Sequence, residues 1–169
     1  MKRKPLLWLM MIIGIVLFFQ VKNVIFVTYK VEGISMDPTF SDGTELLVNK
    51  FSPKLSNIHR FDYVLFHGPN QNILIKRVIG LPGETIKYED DQLFVNGAKW
   101  KEPFLKEQKK HKMGNVLTGD FQLEAITGHD QIQENHFFVI GDNRIHSFDS
   151  RHFGTISKDQ IVGVKKHSE

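Results

Sequence analysis

The stretch "NILIKRVIG" (72–80) decides the fold, because it combines the pattern of a buried β-strand with a lysine in the middle. Side chains alternate between the two faces of a strand, so Lys76 shares one face with Leu74 and Val78. The other face is mainly isoleucine, and apolar residues on both faces are typical of a strand that is covered on each side. Lys76 is therefore either buried or extends its amine to solvent at a sheet edge.

Other short apolar stretches predict further strands, with glycine, proline, asparagine and aspartate between them. These stretches are 44–51, 61–66, 84–90, 92–100, 136–142 and 161–166. Asn96-Gly97 divides one of them and is typical of a type I′ hairpin turn. We find no convincing amphipathic helix after residue 27, so the expected domain is mostly β, with packed sheets or a partly open barrel. Residues 102–134 differ, since they are polar and charged, and we expect a surface segment without catalytic residues.

The first residues predict a membrane anchor. Three basic residues at 2–4 precede the stretch 5–19, which has no charged residue, and residues 24–27 are apolar again. A membrane-spanning helix needs about 20 apolar residues, and the polar residues between the two stretches can reach the headgroup region. We expect residues 1–27 to form a cytoplasmic stub and one transmembrane helix, and residues 28–169 to form the domain.

The basic cluster also predicts the orientation of this anchor. Positive residues stay in the cytoplasm, which places the domain on the extracytoplasmic face of the cell membrane. One alternative is a cleaved signal peptide, but small residues at a cut site are missing after the apolar stretch. A core helix of a soluble protein is the other alternative.

The composition excludes several kinds of chemistry. The chain has 169 residues, a formal net charge of +3 and no cysteine, which rules out disulfides, thiolate catalysis and cysteine-bound metals. The eight histidines are dispersed and lack the spacing of a zinc site, so no metal or other cofactor is expected. Basic and acidic residues are interleaved, which argues against nucleic-acid binding and fits weak attraction to an anionic lipid bilayer.

The stretch "VEGISMDPTF" (31–40) contains one serine, Ser35, with no histidine nearby and without the G-x-S-x-G spacing of α/β-hydrolases. A buried lysine could supply the missing base, because burial lowers the pKa of the amine and its neutral form accepts protons. Serine–lysine pairs are among the variants that replace the Ser-His-Asp triad. Ser35 and Lys76 could therefore be nucleophile and base, but the sequence does not show that they touch.

Four stretches together resemble the motifs of type I signal peptidases, in the single-anchor form typical of Gram-positive bacteria. They are "GISMDPTF" (33–40), "RFDYVLF" (60–66), "IKRVIGLPGE" (75–84) and "GDNRIHSFDSRHFG" (141–154). Their order and spacing agree with the family from the anchor to about Gly163, with residues 102–134 as a variable surface insert. The resemblance implies a β-rich catalytic domain of coiled antiparallel sheets, with an apolar surface against the membrane.

The resemblance also assigns roles to residues. Ser35 would be the nucleophile and Lys76 the general base, and the backbone N–H of Ser35 would be the main oxyanion donor, because Gly33 has no side-chain donor. Ser147 would orient the lysine amine by a hydrogen bond, and His146 would have no catalytic role. The supporting ion pair would be Asp149 and Arg151, with Arg77 as a further ion partner.

The implied substrates are precursor proteins with signal peptides, cut after Ala-x-Ala-like sites by a monomeric enzyme. The substrate would bind as an extended segment along a sheet edge, with small side chains in two shallow pockets. The residues that match the pocket walls are Tyr29, Val31, Met36, Ile73 and Ile75.

Two other functions stay open. Self-cleaving repressors share a serine–lysine pair and a similar β core, but they would carry a DNA-binding module where this chain has its apolar segment. A membrane-tethered binding domain is the second alternative, and it predicts that Ser35 and Lys76 can be replaced without loss of function.

Overall fold

The computed structural model describes residues 4–50, 58–111 and 116–167, without the side chains of 4–7, 18–24 and 111. The helices are α1 (Lys4–Ile25), α2 (Lys106–His111), α3 (Leu123–Thr127) and α4 (Ser150–Phe153), with 3₁₀ turns at Pro103–Leu105 and Lys158–Gln160. The strands are β1 (Phe26–Lys30), β2 (Glu45–Asn49), β3 (Tyr63–His67), β4 (Ile73–Gly80), β5 (Ile86–Glu89), β6 (Gln92–Val95), β7 (Ala98–Trp100), β8 (Phe121–Gln122), β9 (His136–Ile140), β10 (Ile156–Ser157) and β11 (Ile161–Lys165).

The strands of the described residues form two antiparallel sheets, which confirms the prediction of a mostly β domain. The larger sheet has the order β1-β2-β11-β3-β4-β9-β10, and the smaller has the order β7-β6-β5-β8. Each predicted stretch contains a strand, and the turn between β6 and β7 has positive φ at Asn96 and Gly97, as a type I′ turn requires. The sequence did not predict β1, β8 or β10, and β8 and β10 have two residues each, too few to show an alternating pattern.

Helix α1 ends two residues before the predicted end of the anchor. Phe26 and Val27 belong instead to β1, where they pair with Asn49 and Val48 of β2. No helix among the described residues has both the length and the apolar character that crossing a membrane requires. Residues 1–3 of the predicted stub lie outside the described residues.

Strand β4 lies inside the larger sheet, between β3 and β9, and its residues from Ile75 to Gly80 are buried. Lys76 is only 2% exposed, so the alternative of a lysine that reaches solvent at a sheet edge is wrong. Among the described residues, the pairing with β9 begins at Arg77, whereas Ile73 to Lys76 pair with β3 alone. One backbone edge of the first half of β4 is therefore not paired with any described strand.

Residues 102–134 are more than a surface insert. Their buried apolar side chains are Leu105, Leu117, Leu123 and Ile132, and Glu102 and Thr118 are buried as well. Leu123 and Ile132 pack in the core cluster that covers the smaller sheet. The sequence pattern did not reveal this contribution, because the apolar residues of this segment stand in ones and twos among polar and charged residues and follow no sustained helical or strand period.

Candidate active site

The amine of Lys76 contacts the hydroxyl of Ser35. Lys76 Nζ donates hydrogen bonds to Ser35 Oγ at 2.6 Å and to the carbonyl oxygen of Ile75 at 3.1 Å. Burial lowers the pKa of Lys76 to about 8, although the charges of Asp149 and Asp142 oppose this shift. At pH 7 about one amine in ten is then neutral, far more than for a solvated lysine. The neutral amine can accept the hydroxyl proton across the same contact.

Ser35 is held by the turn between β1 and β2. Met36, the next residue, is fully buried and anchors the turn in the core, while Ser35 itself stays partly exposed. The backbone N–H of Gly33 donates to Asp42 Oδ1 at 2.7 Å, and that of Phe40 donates to the carbonyl of Met36 at 3.0 Å. These contacts fix the Ser35 hydroxyl above the buried amine.

Asp142 links the segments that carry these two residues. Arg77 donates to both carboxylate oxygens of Asp142, at 2.8 and 2.6 Å, and both side chains are fully buried. Thr39, in the turn after Ser35, donates to the same carboxylate at 2.5 Å. The expectation that Arg77 is a further ion partner of Asp149 and Arg151 is corrected, because its guanidinium donates to Asp142, to the Tyr63 hydroxyl and to the carbonyl of Phe61 instead.

Asp149 and Arg151 contact each other. Arg151 Nε and Nη2 each donate to the Asp149 carboxylate at 2.9 Å, and the N–H of Gly141 donates to it at 3.0 Å. Burial alone would raise the pKa of Asp149, but Arg151, Ser147 and Gly141 outweigh burial and lower it. Asp149 therefore stays ionised and keeps a negative charge near Lys76.

Ser147 lies next to Asp149 and does not form a hydrogen bond with Lys76. Its hydroxyl is buried and near enough to Asp149 to lower the pKa of that carboxyl, yet it meets hydrogen-bond geometry with none of the described residues. The expected hydrogen bond to Lys76 is not formed: the amine donates to Ser35 and to the carbonyl of Ile75, and the Ser147 hydroxyl has no bond to it. A Cβ on Gly141 would collide with both the Ser147 hydroxyl and the carbonyl of Ser35.

Asn143 makes contacts that the sequence analysis did not predict, because the motif resemblance gave this residue no role of its own. Its side-chain Nδ2 donates to the carbonyl of Ile34 at 3.0 Å, and its backbone N–H donates to the carbonyl of Ser35 at 3.1 Å. The 141–154 motif thus holds the backbone on both sides of the Ser35 nitrogen.

A second buried ion pair ties the 141–154 motif to residues 102–134. Arg144 Nη2 donates to Glu102 Oε1 at 2.6 Å, and both side chains are fully buried. Tyr88 donates to the same oxygen at 2.6 Å, and Arg144 also donates to the Thr118 hydroxyl at 2.9 Å. The segment from which no chemistry was expected therefore supports the motif that carries Ser147 and Asp149.

A cleft of about 420 Å³ opens beside Ser35 and Lys76. Three of the predicted wall residues line it, namely Tyr29, Ile73 and Ile75, together with Glu32, Asn72 and Leu74. The Tyr29 hydroxyl donates to the carbonyl of Ile73 at 2.9 Å.

The other two predicted wall residues do not line this cleft. Val31 and Met36 are 2% and 0% exposed and belong to the core cluster below the turn.

A larger depression of about 520 Å³ lies over β5, β6 and α3 and contains neither Ser35 nor Lys76. Among the described residues, no group of acidic and histidine side chains could hold a metal ion.

The chain is similar to known signal peptidases over almost its whole length. The family described as Signal peptidase, peptidase S26, matches residues 4–168. The chain is 59% identical over 158 residues to signal peptidase I V of Bacillus subtilis (strain 168), covering 94% of each chain. It is 40% identical over 168 residues to signal peptidase IB of Staphylococcus aureus (strain Mu50 / ATCC 700699), covering 96% of this chain and 88% of the other.

A crystal structure of a signal peptidase I from Enterococcus faecalis V583 has a similar fold. It matches with a TM-score of 0.63 and 38% identity, over 66% of this chain and 98% of the other. The fold and these similarities define the protein as a serine peptidase. The chain belongs to the signal peptidase family, peptidase S26, whose members remove signal peptides from secreted precursors, and the predicted resemblance is confirmed.

Proposed function

We propose that this signal peptidase uses Ser35 as its nucleophile and Lys76 as its general base. The observation that carries the proposal is the 2.6 Å contact between Lys76 Nζ and Ser35 Oγ in a buried environment. Serine is a weak nucleophile until a base removes its proton, and the lysine with its pKa of about 8 has a neutral form available for this task.

The proposed reaction has two halves. Neutral Lys76 takes the hydroxyl proton as Ser35 Oγ attacks the carbonyl carbon of the scissile peptide bond, and the backbone N–H of Ser35 stabilises the oxyanion. The C–N bond then breaks, Lys76 gives its proton to the leaving amine, and an acyl-enzyme remains. In the second half Lys76 takes a proton from water as the hydroxide attacks the ester carbonyl. The ester C–O bond then breaks, Lys76 returns the proton to Ser35 Oγ, and the signal peptide leaves with a new C-terminal carboxyl group.

Supporting residues hold this pair in place. Asp149, fixed by Arg151, keeps an anionic charge near the amine and limits the fall of its pKa. The Ser147 hydroxyl is buried next to Asp149, and we propose that it orients the lysine amine during turnover. Arg77 contributes through Asp142 and thereby couples β4 to the turn that follows Ser35.

The substrate is proposed to bind as an extended segment between two free backbone edges. Within the described residues, β1 pairs only with β2, and Ile73 to Lys76 pair only with β3. Both edges border the cleft, so an added strand can form backbone hydrogen bonds to either one. Tyr29, Ile73 and Ile75 would exclude large side chains, which explains a preference for Ala-x-Ala-like sites.

The proposed setting is the extracytoplasmic face of the cell membrane, with residues 1–27 as a single-pass anchor and a cytoplasmic N-terminus. The support is the sequence, in which the basic residues 2–4 precede the apolar stretch 5–19. A tethered monomer would meet cut sites at the bilayer surface at high effective concentration. Retention in membranes after alkaline extraction, with the domain open to external protease on intact cells, would support this arrangement.

The test of the function is cleavage of a secretory precursor by the detergent-solubilised full chain. Mass spectrometry of both products should place the cut after Ala-x-Ala, and a precursor with phenylalanine in place of the last alanine should resist. Cleavage at other positions, or equal cleavage of both precursors, would contradict the proposed specificity. No cleavage by folded enzyme would contradict the function.

A further inference from the structure

We propose that Asn143 is a positioning residue that aims the backbone N–H of Ser35 at the oxyanion. The inference rests on the proposed role of Ser35 and goes beyond it, because it names what holds the oxyanion donor. The relevant contact is the 3.0 Å hydrogen bond from Asn143 Nδ2 to the carbonyl of Ile34.

That carbonyl and the Ser35 N–H belong to one peptide unit. A trans peptide is planar, and its C=O and N–H point in opposite directions, so fixing the carbonyl also fixes the direction of the N–H. The carbonyl of Ile34 accepts a second hydrogen bond, from the N–H of Asp37 at 3.1 Å. With both bonds in place, the peptide plane has little freedom to rotate.

The Ser35 N–H is available for this purpose. It makes no hydrogen bond to any part of the chain that the structure describes, whereas the carbonyl of the same residue accepts from the Asn143 N–H at 3.1 Å. Gly33 has no side-chain hydroxyl or amide that could donate in its place. Correct orientation of one backbone N–H therefore matters more here than it would in a site with an additional side-chain donor.

The amide of Asn143 has a defined orientation. Its Oδ1 accepts from the N–H of His146 at 3.3 Å, while Nδ2 faces the carbonyl of Ile34. A flipped amide would place oxygen against a carbonyl and nitrogen against an N–H, which loses both hydrogen bonds. A donor on a carbonyl also polarises the peptide and strengthens its N–H as a donor.

The test uses Asn143→Ala in the full chain, with a peptide substrate and a peptide boronate, which forms a tetrahedral adduct on a serine hydroxyl. We expect kcat to fall about 10- to 100-fold, as for a displaced oxyanion donor, with KM nearly unchanged. Affinity for the boronate should fall by a similar factor. The pH midpoint of kcat should stay in place, because the Ser35–Lys76 contact is not altered. Ile145→Ala, in the same turn and exposed, is the matched control and should change kcat less than twofold.

A spectroscopic measurement addresses the peptide directly. Loss of the donor on the Ile34 carbonyl should shift the ¹⁵N resonance of the Ser35 amide upfield in Asn143→Ala but not in Ile145→Ala. If Asn143→Ala does not fold, Asn143→Asp keeps the acceptor for His146 and removes the donor, and the same kinetic comparison decides.

Either of two results would overturn the inference: a fall in kcat smaller than threefold, or a loss confined to KM with boronate affinity retained. These results differ from a failure of the proposed function, in which Ser35→Ala would still cleave the peptide.

Discussion

Lys76 Nζ lies 2.6 Å from Ser35 Oγ, although the two residues are 41 positions apart in the sequence. A buried strand supplies the amine and a turn anchored by Met36 supplies the hydroxyl. Arg77, next to Lys76, and Thr39, near Ser35, both bind Asp142, so one carboxylate holds the two segments together. The geometry of the pair is thus set by the packing of the sheet and does not depend on bound substrate.

Replacing either member of the pair should abolish precursor cleavage. Ser35→Ala removes the proposed nucleophile and Lys76→Ala removes the proposed base. Lys76→Arg should fail as well, because a guanidinium stays protonated. Cleavage can be followed by gel electrophoresis and folding by circular dichroism. Lys87→Ala, at a partly exposed lysine of the smaller sheet, is the control and should retain activity. Substantial cleavage by Lys76→Ala would rule out this lysine as the base.

The rate of cleavage should rise with pH around a midpoint near the pKa of Lys76, which is about 8. The sign follows from the active form: only the neutral amine can accept the Ser35 proton, so activity is lost as pH falls below this value. The measurement is kcat/KM of the free enzyme with a neutral peptide from pH 6 to 10. A midpoint near 10.5, the value of a solvated lysine, would mean that the amine is not desolvated in solution.

Lys76 should also lower the stability of the fold at neutral pH. Its pKa is about 8 in the native state and 10.5 without burial, so between these values the unfolded state binds more protons and the unfolding free energy rises with pH. Below pH 8 the penalty is about 3 kcal/mol. Lys76→Met should therefore raise the unfolding free energy at pH 7 by about 1–3 kcal/mol, measured with urea, while cleavage is lost. Equal gains at pH 7 and pH 10.5 would exclude titration of Lys76 as the cause.

Local patterns in the sequence predicted those features of the fold and the site that depend only on residues close together in the sequence. Alternation along 72–80 placed Lys76 between apolar side chains, and Asn96-Gly97 predicted the hairpin that the structure contains. Both features need only the strand period or the φ preferences of a turn. The motif resemblance then placed Ser35 opposite the lysine.

Contacts between distant segments could not be predicted in this way. Arg77 and Asp142 are 65 positions apart, and only the pairing of β4 with β9 brings them together. Glu102 lies in a charged stretch that looks solvated until its partner Arg144, 42 positions away, is known. Val31 was expected in the cleft wall, but the turn directs its side chain into the core.

Gly141→Ala should damage the site even though alanine is the smallest possible addition. The new Cβ would collide with the Ser147 hydroxyl and with the backbone carbonyl of Ser35, and that carbonyl cannot move aside without shifting Ser35 itself. We expect kcat to fall by at least about tenfold, since small displacements of reacting groups are costly. Gly83→Ala is no suitable control because its φ is positive, so Gly14→Ala, with open space around it, serves instead. Full activity of Gly141→Ala would show that the Ser35 carbonyl does not need its present position.

Glu102→Gln should destabilise the protein strongly, although Glu102 lies in a segment that the sequence assigned to the surface. Glutamine keeps an acceptor for Arg144 and Tyr88 but leaves the fully buried guanidinium without a counter-charge. Removing one partner of a buried ion pair costs about 3–5 kcal/mol, whereas an exposed pair contributes about 0.5 kcal/mol or less. Glu107→Gln is the matched control, because Glu107 pairs with Lys110 in the same segment and both are exposed.

The unfolding free energies of the two variants, measured with urea at pH 7, should differ clearly. Equal, small effects would mean that residues 102–134 detach from the motif in solution, and Arg144 would then need another partner.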